Sequence, residues 1–373
     1  MREIPLHKRN AFKYFHNASE NTSSPEDDYH ILSAKERKAI KQIKKRAIFW
    51  SAFTGAMAIF VYYFLSVFFA DTIKEYTVQL KTLNDSTLTV PYLIVIINFV
   101  LVFIELIILN RINLSAVAKI AKICGFPGKE DSLKEKHIEQ LFNIGLDAKN
   151  KEAVRFGINP YYGIPKLFLL IYTLFFMLKA TLSNFLVKMI LIKLFPRLGF
   201  RTLVDLFGAP IFAFWNAWAT FKIIECAKIY IMAPSLIQRM INETDCIRTD
   251  VNLKENIYNA MHIVATLKRN YHYNHFVLID RIINSFGLVD LKGMVPNEKS
   301  FFLNLKKMDE KMKKAYSKII LMGVIVDGKV SRKEMKNLRI MYENSVINVN
   351  PVETKNWCKK FINGEGLEDF FYK

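Results

Sequence analysis

Residues 47–70 are 24 consecutive positions without a charged side chain, and no other feature constrains the chain as strongly. At 1.5 Å per helical residue, the run is long enough to cross a hydrocarbon layer of roughly 30 Å with some tilt. A surface helix of a water-soluble domain keeps a polar face; AIFWSAFTGAMAIFVYYFLSVFFA has no charge on any face. About 46 hydrophilic residues precede it, so the expectation is an uncleaved signal anchor rather than a cleavable leader. Ser33-Ala-Lys-Glu36 has the spacing of a capping box. It opens a basic helix through Lys41, Lys44, Lys45 and Arg46 that leads directly into the apolar run.

Three more apolar runs bring the expected spans to four, at 47–70, 88–110, 166–187 and 203–224. The second contains Pro91 near its start and Glu105 near its end. The third apolar stretch continues to Phe195 but carries Lys179, Lys188 and Lys193. A span followed by an amphipathic interfacial segment, with the lysines reaching toward headgroups, accounts for it. The fourth holds Trp215 and Trp218 and runs into Lys222, Glu225 and Lys228. Eleven Lys and Arg precede the first span, whereas the first connection has only Lys74 and Lys81; basic residues abound again in 111–165 and after the fourth span. The positive-inside rule then predicts both termini in the cytosol of a bacterial cytoplasmic membrane.

The chain carries 53 Lys and Arg against 34 Asp and Glu, a formal charge of +19. These cations flank apolar runs instead of forming one tract. Their expected partner is therefore a bilayer with anionic headgroups, not nucleic acid. Cys124, Cys226, Cys246 and Cys358 make no CxxC pair, so zinc and redox spacings are absent and a reducing compartment fits. Neither a cofactor nor a metal is expected.

The predicted organisation is an N-terminal linker and basic helix over 1–46, then a transmembrane domain over 47–232. The latter includes a cytosolic connection, 111–165, with helices at about 113–124 and 131–148 parted by Gly125-Phe-Pro-Gly128. Residues 233–373 form a cytosolic domain in which apolar side chains recur every three or four positions. They predict helices at 253–267, 275–286, 311–326, 332–344 and 351–362. Strand signals are nearly absent, so the fold class is all-α, a polytopic membrane protein with a cytosolic helical module.

Tyr316–Tyr342, YSKIILMGVIVDGKVSRKEMKNLRIMY, reads as a buried helix, an Asp327-Gly328 turn and a second helix. Ser331 and Glu334 form a capping box at the start of that helix. At these residues the chain resembles the tellurite-resistance TerB-like domain, over about 250–345. The resemblance implies an all-helical fold of two such units and a link to cation sensing, which would involve Asp327 and Glu334. An earlier copy is visible from Tyr258 at an offset of 58, where Arg269-Asn270 stand in place of Asp327-Gly328. An EF-hand is excluded, because loop positions 1 and 3 would be Gly323 and Ile325 and neither offers a side-chain oxygen. The membrane part is reminiscent of uncharacterised bacterial multi-spanning membrane proteins.

Glu105 is the most informative single residue, because a carboxyl inside a span faces a partner or water. At matched depth, Glu105 and Lys222 are expected to form an ion pair, and Asn98 and Asn216 a hydrogen bond. Lys222 with Glu225 is the local alternative. These groups serve either an ion pathway or helix packing. Ser51 and Gly55 supply one small-x-x-x-small pair. His262, His272 and His275 are expected on a solvated helix face or turn, and the lysine cluster 306, 307, 311, 313, 314 and 318 on a solvated face. No phosphate loop, catalytic triad or nucleophile elbow is present as a motif. The resulting expectation is a non-enzymatic membrane-anchored adaptor, scaffold or sensor acting through its TerB-like module, with a protein partner or a homo-oligomer. The alternative is a small channel or transporter.

Overall fold

The structure, a computed structural model, describes Lys13 and residues 31–81, 87–128, 131, 133–147, 158, 164–165, 167–171, 208–269, 272–288, 291 and 293–372. It is helical apart from one short hairpin and divides into two compact units. One unit is Lys41–Val117 with Pro165–Ile224; the other is Met1–Ile40, Ala118–Ile164 and Glu225–Lys373.

In the first of these, helix α1 (Ala34–Phe68) contains the uncharged run as one uninterrupted helix with the basic segment before it. The capping box forms as expected: Glu36 N–H donates to Ser33 Oγ at 3.2 Å, and Ser33 N–H to Glu36 Oε2 at 2.7 Å. A short helix α2 (Ala70–Glu75) follows, then strands β1 (Thr77–Lys81) and β2 (Thr87–Pro91), paired antiparallel with Thr77 opposite Pro91. This hairpin occupies the connection expected from sequence and reaches into the start of the predicted second span. Helix α3 (Tyr92–Ile123) therefore starts four residues later than the predicted span and runs far beyond position 110. The separate helix predicted at 113–124 is the continuation of α3. Residues 167–171 are helical, but the rest of the expected third span, with Lys179, Lys188 and Lys193, lies outside the described residues. Helix α5 (Gly208–Glu243) includes the described part of the fourth apolar run.

Among the described residues, two helices are long and apolar enough to cross a membrane, those within Ala34–Phe68 and Val95–Ile123. Their large side chains point outward: Phe68 is 71% exposed and Phe99 75%. Exposed apolar patches of this kind mark surfaces that contact a membrane or another protein.

The second unit packs helices on helices. It contains α4 (Lys134–Gly145), the last part of α5, a 3-10 turn Asp245–Thr249, α6 (Leu253–Lys268) and α7 (Tyr273–Ser285). Helices α8 (Glu298–Lys307), α9 (Glu310–Ile325), α10 (Arg332–Glu343), α11 (Pro351–Asn363) and α12 (Glu368–Tyr372) complete it. Five of these lie within two residues of their predicted boundaries; α8 was not predicted. Pro234, beside the predicted domain boundary at 232/233, sits inside α5, which continues to Glu243. The core centres on α6 against α9, and α8 joins it where its Phe301 meets Tyr316 of α9 edge-to-face at 5.9 Å, both fully buried.

Helices α6 and α9 approach closely at Gly323, where an added Cβ would lie 2.6 Å from both Val264 methyl carbons. Val264 is β-branched and stiff, so it cannot swing aside. Gly323→Ala is expected to lower stability by about 1–3 kcal/mol, less the helix propensity it gains. Val264→Ala in the same chain should recover part of that loss, although it destabilises alone. Denaturant midpoints of the four chains test this coupling; simple additivity would refute it.

Candidate functional site

Two groups of polar side chains in otherwise apolar surroundings are candidates, one in each unit. In the unit of long apolar helices, Asn216 Nδ2 on α5 donates to Glu105 Oε1 on α3 at 2.6 Å. Gly55 on α1 makes room for this pair: a Cβ there would meet Asn216 Nδ2 at 2.5 Å and the Phe212 carbonyl oxygen at 2.8 Å. One turn away, Thr220 Oγ1 donates to Asn113 Oδ1 at 2.8 Å and shares a 2.7 Å hydrogen bond with Ser51 Oγ. Ser51 and Thr220 are fully buried, and Asn113 nearly so. The small-x-x-x-small pair of α1 thus faces α5 at both positions.

The expected partners change accordingly. The group hydrogen-bonded to Glu105 is Asn216 rather than Lys222, whose ammonium lies 5.2 Å from the Trp218 ring centroid. Asn98 is exposed and Asn216 bonds to the carboxyl instead. Counting along α3 gives depth but not azimuth, and azimuth decides which neighbour a side chain meets. Interhelical hydrogen bonds of this kind contribute about 0.6 kcal/mol each in an apolar medium. The two layers join α1, α3 and α5.

In the other unit, the Asp327-Gly328 turn forms as predicted, with Gly328 at φ +70°. Ser331 caps α10 by accepting from Glu334 N–H at 3.2 Å, and Glu334 Oε2 accepts from Ser331 N–H at 3.1 Å. Sequence reasoning missed what these carboxylates face. Lys268, at the end of α6, has a side chain only 2% exposed. Its Nζ donates to Asp327 Oδ1 at 2.8 Å, Glu334 Oε2 at 3.0 Å and the Lys329 carbonyl at 2.5 Å. Three ammonium protons meet three oxygens. The positive charge that these acidic residues hold is a side chain of the same chain.

The same contacts revise the repeat register. Arg269 (φ +51°) and Gly328 hold equivalent left-handed positions, His272 and Ser331 are both N-caps, and His275 and Glu334 both stand at N3. Each pair is 59 residues apart, not 58. At that offset Lys268 is the counterpart of Asp327, and Val264 of Gly323; both pairs are in contact across the repeat.

Of the histidines expected on a solvated helix face or turn, His262 and His275 are buried and His272, the N-cap of α7, is half-buried. His275 Nδ1 accepts from His272 N–H at 3.0 Å, so its Nε2–H donates to the Gly323 carbonyl at 3.0 Å. His272 Nδ1 accepts from Asn274 N–H at 3.2 Å, which directs its Nε2–H at Cys226 Sγ, 3.0 Å away. Burial pushes the His272 imidazole down to about 3 and the Cys226 thiol up to about 12. Both groups are therefore neutral at physiological pH, and the pair is not a thiolate–imidazolium nucleophile. His262 is also buried, its Nδ1 3.4 Å from Glu298 Oε1. Among the described residues, no three His, Cys, Asp or Glu side chains converge to hold a metal. In the lysine cluster, Lys306, Lys307, Lys311 and Lys314 are exposed, whereas Lys318 bonds Glu243 and the Phe371 carbonyl.

No protein-family model, curated protein or solved structure matches the chain.

Replacing Lys268 by Met would leave two carboxylates facing each other without a counter-charge. A loss of about 3–5 kcal/mol is expected, with hydrogen exchange accelerating throughout α6, α9 and α10. Unchanged exchange there would show that the buried ion cluster is not needed. A pH dependence also follows. The unfolded chain protonates its histidines near the ordinary imidazole value of 6.5, but burial delays protonation to about 4 for His137 and about 3 for His272. The unfolded state then binds more protons, so stability is full above pH 6.5 and falls as pH drops toward 4. Denaturant midpoints at pH 7.5, 5.5 and 4.5 should decline, and His272→Gln should flatten the decline.

Proposed function

We propose that this chain is a non-enzymatic membrane-anchored adaptor, scaffold or sensor that works through its C-terminal helical module. The observation that carries the reading is the outward apolar surface of α1 and α3. The same uninterrupted helices, with α5, also contribute residues to the compact helical unit. Four spans, a bacterial cytoplasmic membrane, cytosolic termini and contact with anionic headgroups complete the proposal, supported by the apolar runs and the distribution of Lys and Arg. The TerB-like character of about 250–345 rests on the Asp327-Gly328 turn, the Ser331–Glu334 cap and the helical repeat. Lys268, bonded to both carboxylates of the acidic turn, speaks against direct cation sensing there. Nucleic acid is not a proposed partner.

A second reading, a small channel or transporter, draws on the Glu105 carboxyl within α3. The satisfied bonds to Asn216 and among Ser51, Thr220 and Asn113 support helix packing instead. Purification of the whole chain in nanodiscs, with mass spectrometry of what accompanies it, tests the first reading. A stoichiometric protein, or a second copy, should be retained and then lost when residues 250–373 are removed. Proteoliposome ion flux abolished by Glu105→Gln, with assembly unchanged, would instead establish transport.

A further inference from the structure

A small cavity of about 30 Å³ lies between α4, the second half of α5 and α7, all within the C-terminal unit. That volume holds about two water molecules, or a head group of a few heavy atoms. The rings of Tyr230, Tyr273 and Phe276 form its walls. Three polar atoms at the cavity are buried without a hydrogen-bond partner: His137 Nε2, Gln140 Oε1 and Arg281 Nε. The structure holds them in place. Tyr230 hydroxyl bonds His137 Nδ1 at 2.7 Å, and Arg281 Nη1 donates to Gln238 Oε1 at 2.8 Å. The His137 side chain is 3% exposed, and its Nε2 lies 3.5 Å from Asp131 Oδ2, too far for a good hydrogen bond.

We propose that this cavity binds a primary carboxamide head group, with the apolar ring that carries it remaining outside the cavity. Arg281 Nε–H requires an acceptor and Gln140 Oε1 requires a donor; a carboxamide presents both on adjacent atoms. With the ring proton on Nδ1, donated to Tyr230, His137 Nε2 accepts the second amide N–H. A carboxylate would offer Gln140 no donor, and a ketone would satisfy Arg281 alone. The local charges cancel, Lys136 and Arg281 against Asp131 and Asp280, so neither an anion nor a cation is favoured. Lys136 and Asp280, paired at 2.9 Å, are among the partly exposed residues that border the cavity. Burial also holds His137 down to about 4, which keeps the imidazole neutral beside a neutral ligand.

The test uses the whole chain in nanodiscs and three probes of equal shape: benzamide, benzoate and acetophenone, titrated by calorimetry or ligand-observed NMR. Benzamide should bind roughly tenfold or more tighter than either analogue, as expected when a buried donor or acceptor is left unmatched. Gln140→Leu should weaken benzamide by roughly tenfold and leave acetophenone unchanged. Equal affinity for all three probes, no benzamide binding, or an unaffected Gln140→Leu chain would overturn the proposal in favour of ordered water alone. The comparison on the unaltered chain decides the question even where the variant does not fold.

Discussion

An ammonium group that is 2% exposed has no bulk water to solvate it, so protein oxygens must take over that role. Around Lys268 they come from three separate places: Asp327 in the turn, the Lys329 carbonyl just after it and Glu334 in the first turn of α10. The buried charge therefore ties the end of α6 to the start of α10. Within that frame, α6 and α9 approach as closely as Gly323 against Val264 allows, and His275 reaches the Gly323 carbonyl. Glu334 serves two needs at once, closing the cap on Ser331 N–H and answering Lys268. Removing either partner would leave the other charge buried and uncompensated, which is why the cluster governs the packing of this unit.

The long apolar helices obey the same rule with weaker groups. Few polar side chains occur along their facing surfaces, and Glu105, Asn216, Ser51, Thr220 and Asn113 are bonded to one another across helices. The remaining surface is apolar and turned outward, with Phe64, Phe68, Phe99 and Phe103 all exposed. Polar inside and apolar outside reverses the arrangement in water. It is the distribution expected where the surrounding medium is hydrocarbon.

Much of this was legible in advance, and the misses have identifiable physical causes. The Ser33–Glu36 and Ser331–Glu334 boxes formed as read, because a cap involves residues three apart and little else. The hairpin was missed because Thr77–Lys81 is a short alternation beside a long apolar run, and it moved the start of α3 to Tyr92. The histidines read as solvated because His272 and His275 stand in a polar stretch, Tyr-His-Tyr-Asn-His. Their burial arises from α9 and from Cys226, residues far away in the chain. Lys268 resembled an ordinary basic residue at a helix C-terminus, and no local signal marks it as interior.

By itself, the sequence determined the helical class, the two long apolar helices, the caps and the Asp327-Gly328 turn, since periodicity, charge and capping act within a turn or two of helix. Tertiary structure alone decided that Glu105 meets Asn216, that Lys268 answers Asp327 and Glu334, and that His137, Gln140 and Arg281 border one cavity. Those partners depend on helix rotation, crossing distance and register between segments up to 144 residues apart, as with Lys136 and Asp280. Such quantities are set by the packing of whole helices, and no short stretch of sequence carries them.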